Sequence, residues 1–261
     1  KDEEYINNHF IIMCTKRGVI KKTTLEAYSR PRVNGINAIG IRENDQLLEA
    51  KLTTGDSFIM LAARSGKAIR FHENATRPMG RNATGVRGIK LDKNDSVMAM
   101  SILNHVEGET DEFRAYLKAS SIMRRAKDDT EESIADEDVS LELSTERYAE
   151  LAAKEQVILT VASNGQGKRT SSYEYRLTNR GGKGVISMML SKSNSDMVSS
   201  FPIDENDEIM LIDDNGQLIR CPVSGIRIMG RNTQGVKIFN ISEDSSVVSV
   251  ERVVEHDSEE D

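Results

Sequence analysis

Arginine, lysine and glycine recur in this sequence at spacings that suit phosphate. Residues 178–184 read TNRGGKG, placing Arg180 and Lys183 among glycines. Guanidinium pairs with phosphate oxygens through two parallel N–H bonds, and ammonium does so as a point charge. Neighbours as small as Gly181 and Gly182 would let a phosphodiester approach backbone N–H groups. The segment has near copies in MGRNATG (79–85) and MGRNTQG (229–235). All three follow the pattern Arg-xxx-Arg-xxx-Gly, as Arg77–Arg81–Gly85, Arg176–Arg180–Gly184 and Arg227–Arg231–Gly235. A shorter stretch supplies Arg30, Arg32 and Gly35. Nothing in these loops resembles a reader of base edges, which is carried into a groove on a helix or ribbon. The expected chemistry is backbone binding that tolerates any sequence, along a track rather than at one point.

The elements that must carry these loops form a repeat. IIMCTKRGVIKKTTLEAY, IMLAARSGKAIRFHENAT, ILTVASNGQGKRTSSYEY and IMLIDDNGQLIRCPVSGI are each an apolar run, a turn glycine and a second run. Gly18, Gly66, Gly165 and Gly216 are the turn glycines, and Ser-Gly and Asn-Gly are hairpin-turn chemistry. After each hairpin come the polar loop, a third run (INAIGI, GVRGIKL, GVISMML, GVKIFNI) and a fourth (LLEAKL, VMAMSIL, MVSSF, VVSVERV). Four short strands per unit predict an all-β, propeller-like array with units at about 10–53, 58–103, 156–203 and 208–254. Four residues beyond each turn glycine stands a cation: Lys22, Arg70, Arg169 and Arg220. These four, with Lys168 beside Arg169, are candidates for the same surface, although a solvated strand face accounts for them as well.

The turn glycines are 48, 99 and 51 residues apart, so the middle gap is nearly doubled. Residues 104–155 fill it with two helical patterns, DEFRAYLKASSIMRRA and STERYAELAAKEQ, around an acidic stretch. This segment holds 7 Lys and Arg against 15 Asp and Glu, and residues 251–261 hold 1 against 6. The whole chain is −7, so removing these two segments leaves a body of +6. A basic body with acidic appendages suits a polyanion partner. No apolar run approaches the roughly 18 residues that span a bilayer. Cys14 and Cys221 lack metal-ligand spacing and read as buried thiols of a cytosolic protein. No Walker A loop, HExxH or GxSxG occurs.

MGRNATGVRGIKL, NGQGKRTSSYEY, KGVISM and IMGRNTQGVKIF closely resemble the carboxy-terminal domain of DNA gyrase A, over about 1–103 and 156–254. The resemblance implies a β-pinwheel whose basic rim wraps double-stranded DNA with positive sense. Strand passage elsewhere in the enzyme then turns the wrap into negative supercoils. It also implies an A2B2 assembly with gyrase B and a second copy of gyrase A, with ATP and Mg held by other domains and no cofactor in this chain. A cytoplasmic, nucleoid-associated place follows. The implied DNA-binding set is Arg30, Arg32, Arg77, Arg81, Arg176, Arg180, Lys183, Arg227 and Arg231, with Lys22, Arg70, Lys168, Arg169 and Arg220 as outer members.

The chain opens on a unit like the family's third blade, so two blades and the breakage-reunion domain are expected to be missing. None of the six tyrosines takes the role of nucleophile. The family's signature box, built on RGGKG, belongs to its first blade. Here RGGKG stands in a unit like the penultimate one, and Asn179 replaces a basic residue, so Arg180 and Lys183 join the wrapping surface without that special role. The same residues also fit the corresponding domain of topoisomerase IV, or a protein-interaction platform whose arginines tie one unit to the next. The tail 255–261 is read as a solvated terminus that, by resemblance, competes with DNA for the rim.

Overall fold

A computed structural model describes residues 2–128, 142–191, 195–242 and 244–253. The acidic tail 255–261 and most of the acidic linker lie outside the described residues. A short helix, α1 (Glu3–Asn8), leads into the first hairpin, β1 (Phe10–Thr15) and β2 (Val19–Thr24), and β3 (Leu47–Thr53) returns beside β1. The second unit comprises β4 (Ser57–Ala63), β5 (Lys67–His72), the two-residue β6 (Val86–Arg87) and β7 (Val97–Asn104). Helices α2 (Thr110–Asp128) and α3 (Thr145–Lys154) follow, where the helical patterns placed them. The third unit holds β8 (Val157–Ala162), β9 (Gln166–Ser171), β10 (Val185–Ile186) and β11 (Met197–Ile203). The fourth holds β12 (Glu208–Asp213), β13 (Leu218–Pro222), β14 (Val236–Lys237) and β15 (Val247–Val253).

The hairpin and the fourth run of each unit pair as expected, but the third run does not stay at home. β6 pairs with β2 of the first unit, with Ile20 opposite Val86. β10 pairs with β5, with Val185 opposite Ala68, and β14 pairs with β9, with Val236 opposite Gly167. Each of the first three sheets is therefore four-stranded by borrowing from the next unit. The last sheet, β13-β12-β15, has three strands among the described residues. INAIGI of the first unit, equivalent to the lent strands, forms no strand. The glycine just before it, Gly35, has φ +76 and nothing within 4 Å of a built Cβ. At the equivalent Gly184, φ is +75 and a Cβ would stand 2.4 Å from the carbonyl oxygen of Ala68. Only glycine fits where the loop meets the preceding hairpin.

The core lies between successive sheets. Every residue of β4 is buried, because its alternate residues face different neighbours. Ile59, Leu61 and Ala63 pack with Ile12, Cys14 and Ile20 of the first blade. Phe58, Met60 and Ala62 pack with Ile158, Tyr175 and Met197 of the third. β12 at the end of the stack alternates instead: Ile209, Leu211 and Asp213 are buried while Met210 and Ile212 are partly exposed. Two-sided burial explains why SFIMLAA reads as an unbroken apolar run and EIMLID less so. Cys14 is buried and free, and burial pushes its thiol well above the usual range. Cys221 is half-buried and free.

The helices dock through aromatic packing. Val106, Tyr116 and Leu151 form a buried cluster with Tyr173, which sits in the short 3-10 turn after β9. Tyr116 donates to Glu155 at 2.8 Å and Tyr173 to the Leu151 carbonyl at 2.9 Å. Arg147 joins the two helical segments by pairing with Glu112 at 2.9 Å. No described helix is long and apolar enough to cross a membrane.

Candidate nucleic-acid interface

The arginine loops are laid on the preceding unit by one repeated device. The residue after the first arginine makes a parallel bridge to the cation beyond the turn glycine of the unit before: Pro78 to Lys22, Leu177 to Arg70 and Ile228 to Arg169. The next residue donates its N–H to that cation's carbonyl, from Met79, Thr178 and Met229 at 2.8, 3.0 and 2.7 Å. The loop then crosses the hairpin end, where Gly88, Ser187 and Ile238 donate to the carbonyls of Gly18, Gly66 and Gly165. Backbone bonds thus fix each loop to a neighbouring blade and leave its first arginine exposed.

The two arginines of each pair differ. Arg77, Arg176 and Arg227 are exposed, as are Arg30, Arg32 and Lys183, and none of these six is ion-paired among the described residues. Arg81, Arg180 and Arg231 are half-buried. Arg180 donates from Nε to the Ala75 carbonyl at 2.8 Å and from Nη1 to the Arg87 carbonyl at 3.1 Å. Arg231 donates from Nη1 to the carbonyl of Ile186, the residue equivalent to Arg87, at 3.3 Å. A guanidinium carries five N–H donors, so Arg180 spends one on the lent strand at Arg87 and one on the turn at Ala75, and keeps three for an outside acceptor.

The cations beyond the turn glycines need correcting. A solvated strand face describes only Arg220, which is half exposed and paired with Glu208. Lys22 is 3 % exposed and bonds Glu73, itself fully buried, at 2.7 Å. Glu73 also accepts from Thr53 and from the Ser57 N–H, both at 2.9 Å. Arg169 is buried against the Ile226 carbonyl and pairs with Glu205. Arg70 is buried over the Phe58 ring, its Cζ 5.0 Å from the centroid, and burial lowers its guanidinium to about 10. Lys168 is fully buried, its Nζ donating to the carbonyls of Gly230, Arg231 and Thr233 at 2.8, 2.7 and 3.1 Å. Burial brings the ammonium down to about 7, against the pull of the Glu174 carboxylate and with a smaller push from the Arg231 charge. Lys22, Arg70, Lys168 and Arg169 are therefore inside the molecule, in contact with the next unit, and leave the set of surface candidates. The cause is the next blade, which covers the strand face that each occupies.

Lys21 carries no mark in the sequence pattern. It is equivalent to Lys168, is buried, and holds the carbonyls of Ala38 (2.6 Å) and Arg81. Arg87, Lys90 and Lys237, on and just past the lent strands, are exposed cations that lie outside the repeated arginine motif. Gly181 donates its N–H to the Gly88 carbonyl and Lys90 to the Gly182 carbonyl, which sets Arg87 and Lys90 beside the TNRGGKG loop. A weak signal existed: the position two beyond the loop glycine is Arg87, Ile186 and Lys237 in successive units. At the junction of the second and third units the outward cations thus run from the TNRGGKG loop onto the strand beside it, and the fourth unit's loop likewise abuts the strand that the third lent, through Arg231 and the Ile186 carbonyl.

Comparison with known proteins agrees with this architecture. The model of the family "DNA gyrase C-terminal domain, beta-propeller" matches residues 9–54, 57–104, 156–210 and 207–253. The DNA gyrase A protein of Haemophilus influenzae is 40% identical over 258 residues, covering 98% of this chain and 27% of that protein. Its Rickettsia bellii counterpart is 37% identical over 264 residues, covering 100% and 29%. The chain thus spans less than a third of the length of these relatives. In fold it is similar to a C-terminal domain of DNA topoisomerase IV (TM-score 0.70, 20% identity, 94% of this chain and 62% of the other). It is also similar to a DNA gyrase A C-terminal domain (TM-score 0.67, 18% identity, 95% and 67%). With its four repeated units, its lent strands and its all-β pinwheel, the chain belongs to the family of DNA gyrase C-terminal domains.

Proposed function

We propose that this chain binds double-stranded DNA along its outward loops and wraps it, as the carboxy-terminal part of a DNA gyrase A. The observation that carries the reading is repetition: three successive units present an exposed first arginine and a half-buried second one on equivalent loops. Phosphates recur along DNA, and a track of cations on equivalent loops meets them without reading bases. The chain is non-catalytic in this reading. Strand cleavage, ATP and Mg belong to other parts of an A2B2 assembly with gyrase B, in the bacterial cytoplasm, and the wrap supplies the sense of the supercoils introduced there.

A platform for protein partners is the second reading, and Arg180 bonding two carbonyls of the preceding unit is the observation that favours it. Ligating a nicked circular DNA in the presence of the chain separates the two. Wrapping shifts the linking number of the closed product in proportion to bound protein. An interaction platform leaves the topoisomer distribution where naked DNA puts it.

A further inference from the structure

We infer that Asp56, His72 and His105 form a binding site for a divalent transition-metal ion of the zinc type, at the end of the second blade where the chain leaves for the helical segment. The strand pairing brings the three together. Phe58 of β4 faces His72 across one ladder and Leu103 across the other, so Asp56 before β4 and His105 after β7 close on the same corner. Oδ1 of Asp56 lies 3.0 Å from Nε2 of His72 and 2.9 Å from Nδ1 of His105. All three donor atoms are within 4.8 Å of one another. Ligands at about 2.0–2.2 Å from a tetrahedral zinc stand about 3.3 Å apart, so small side-chain rotations admit the ion. Two imidazoles and a carboxylate suit zinc, copper or nickel, and three protein ligands leave a fourth position for water.

The corner is built rather than incidental. The buried Phe58 meets both imidazoles edge-on, with centroids 5.6 and 5.0 Å away, and the two imidazoles lie at 88° to each other. Beyond His105 opens a cleft of about 510 Å³ whose Arg147 and Lys154 are paired with Glu112 and Glu150, while Glu107 and Glu109 add further carboxylates to the lining. Nδ1 of His72 accepts the Asn74 N–H at 3.1 Å, which puts the ring proton on Nε2. Coordination through Nε2 moves that proton to Nδ1 and gives up the Asn74 bond. The ion would fasten the root of the helical segment to the second blade, independently of any DNA.

The test uses the whole chain. Zn²⁺ is titrated by calorimetry, and Co²⁺ is added separately to read the visible absorption of a tetrahedral site. The expected result is one ion per chain and a melting temperature that rises with Zn²⁺. Asp56→Asn, a near-isosteric change at an exposed turn, and His105→Ala each weaken binding more than about tenfold, the least that even outer-shell losses cost. His9→Ala leaves it unchanged. Absence of stoichiometric Zn²⁺ binding, or equal affinity in Asp56→Asn and His105→Ala to that of the parent, overturns the site.

Discussion

At the scale of single residues, one charge type does two jobs, and burial decides which. Lys22 and Glu73 form an ion pair sealed between the first and second blades. Removing one partner strands the other charge in a dry interface, so Lys22→Ala is expected to cost about 3–5 kcal/mol in denaturant unfolding. The fraction that remains folded should bind DNA as the parent does. Arg77→Ala is expected to do the reverse, leaving the melt unchanged while weakening DNA binding. Lys168 makes the same point through pH. Its ammonium is at about 7 in the folded chain against an ordinary value of 10.5, so between these limits the unfolded chain binds the proton more strongly. Stability therefore rises with pH across that window, and Lys168→Met should flatten the rise. The sequence showed which positions repeat but could not distinguish these roles. Lys22 and Arg77 are both cations in polar stretches, and only the covering blade makes one of them interior.

At the scale of elements, much of the fold was legible. Turn glycines, alternating runs and the doubled gap located every hairpin and both helices, because these are local preferences written every few residues. The lent strands were not legible. GVRGIKL looks the same whether it pairs at home or with the previous unit, and pairing at a distance leaves no mark on periodicity. The trace it does leave is steric, in glycines such as Gly184. Gly184→Ala combines positive φ with a backbone clash at 2.4 Å, whereas Gly35→Ala has nearly the same φ and open space. Thermal melts should therefore show a loss of about 1–2 kcal/mol for Gly35→Ala, the left-handed penalty alone, and a clearly larger one for Gly184→Ala. The helical pair is a separable element. Tyr116→Ala should release α2 and α3 from Tyr173 at a cost of about 3–5 kcal/mol, visible as faster amide exchange in both helices while β4 and β8 keep their protection.

At the scale of the whole molecule, the blades form a directional stack. Each of the last three units leans on the one before it, lends it a strand and sets its own arginine loop across the junction. The outward cations are consequently positioned by the same bonds that hold the blades together, and the interior cations, Lys21, Lys22, Arg70, Lys168 and Arg169, keep those junctions closed. In the proposed reading, binding of DNA belongs to this array and not to TNRGGKG alone. The most direct test is the salt dependence of affinity for a long duplex, comparing the parent chain with the combined variant Arg77→Ala, Arg176→Ala and Arg227→Ala. Each phosphate no longer neutralised should lower the log–log slope by about 0.9, so the three together should lower it by about 2.7 with an unchanged melting temperature. A slope that stays at the parent value would contradict the cationic track.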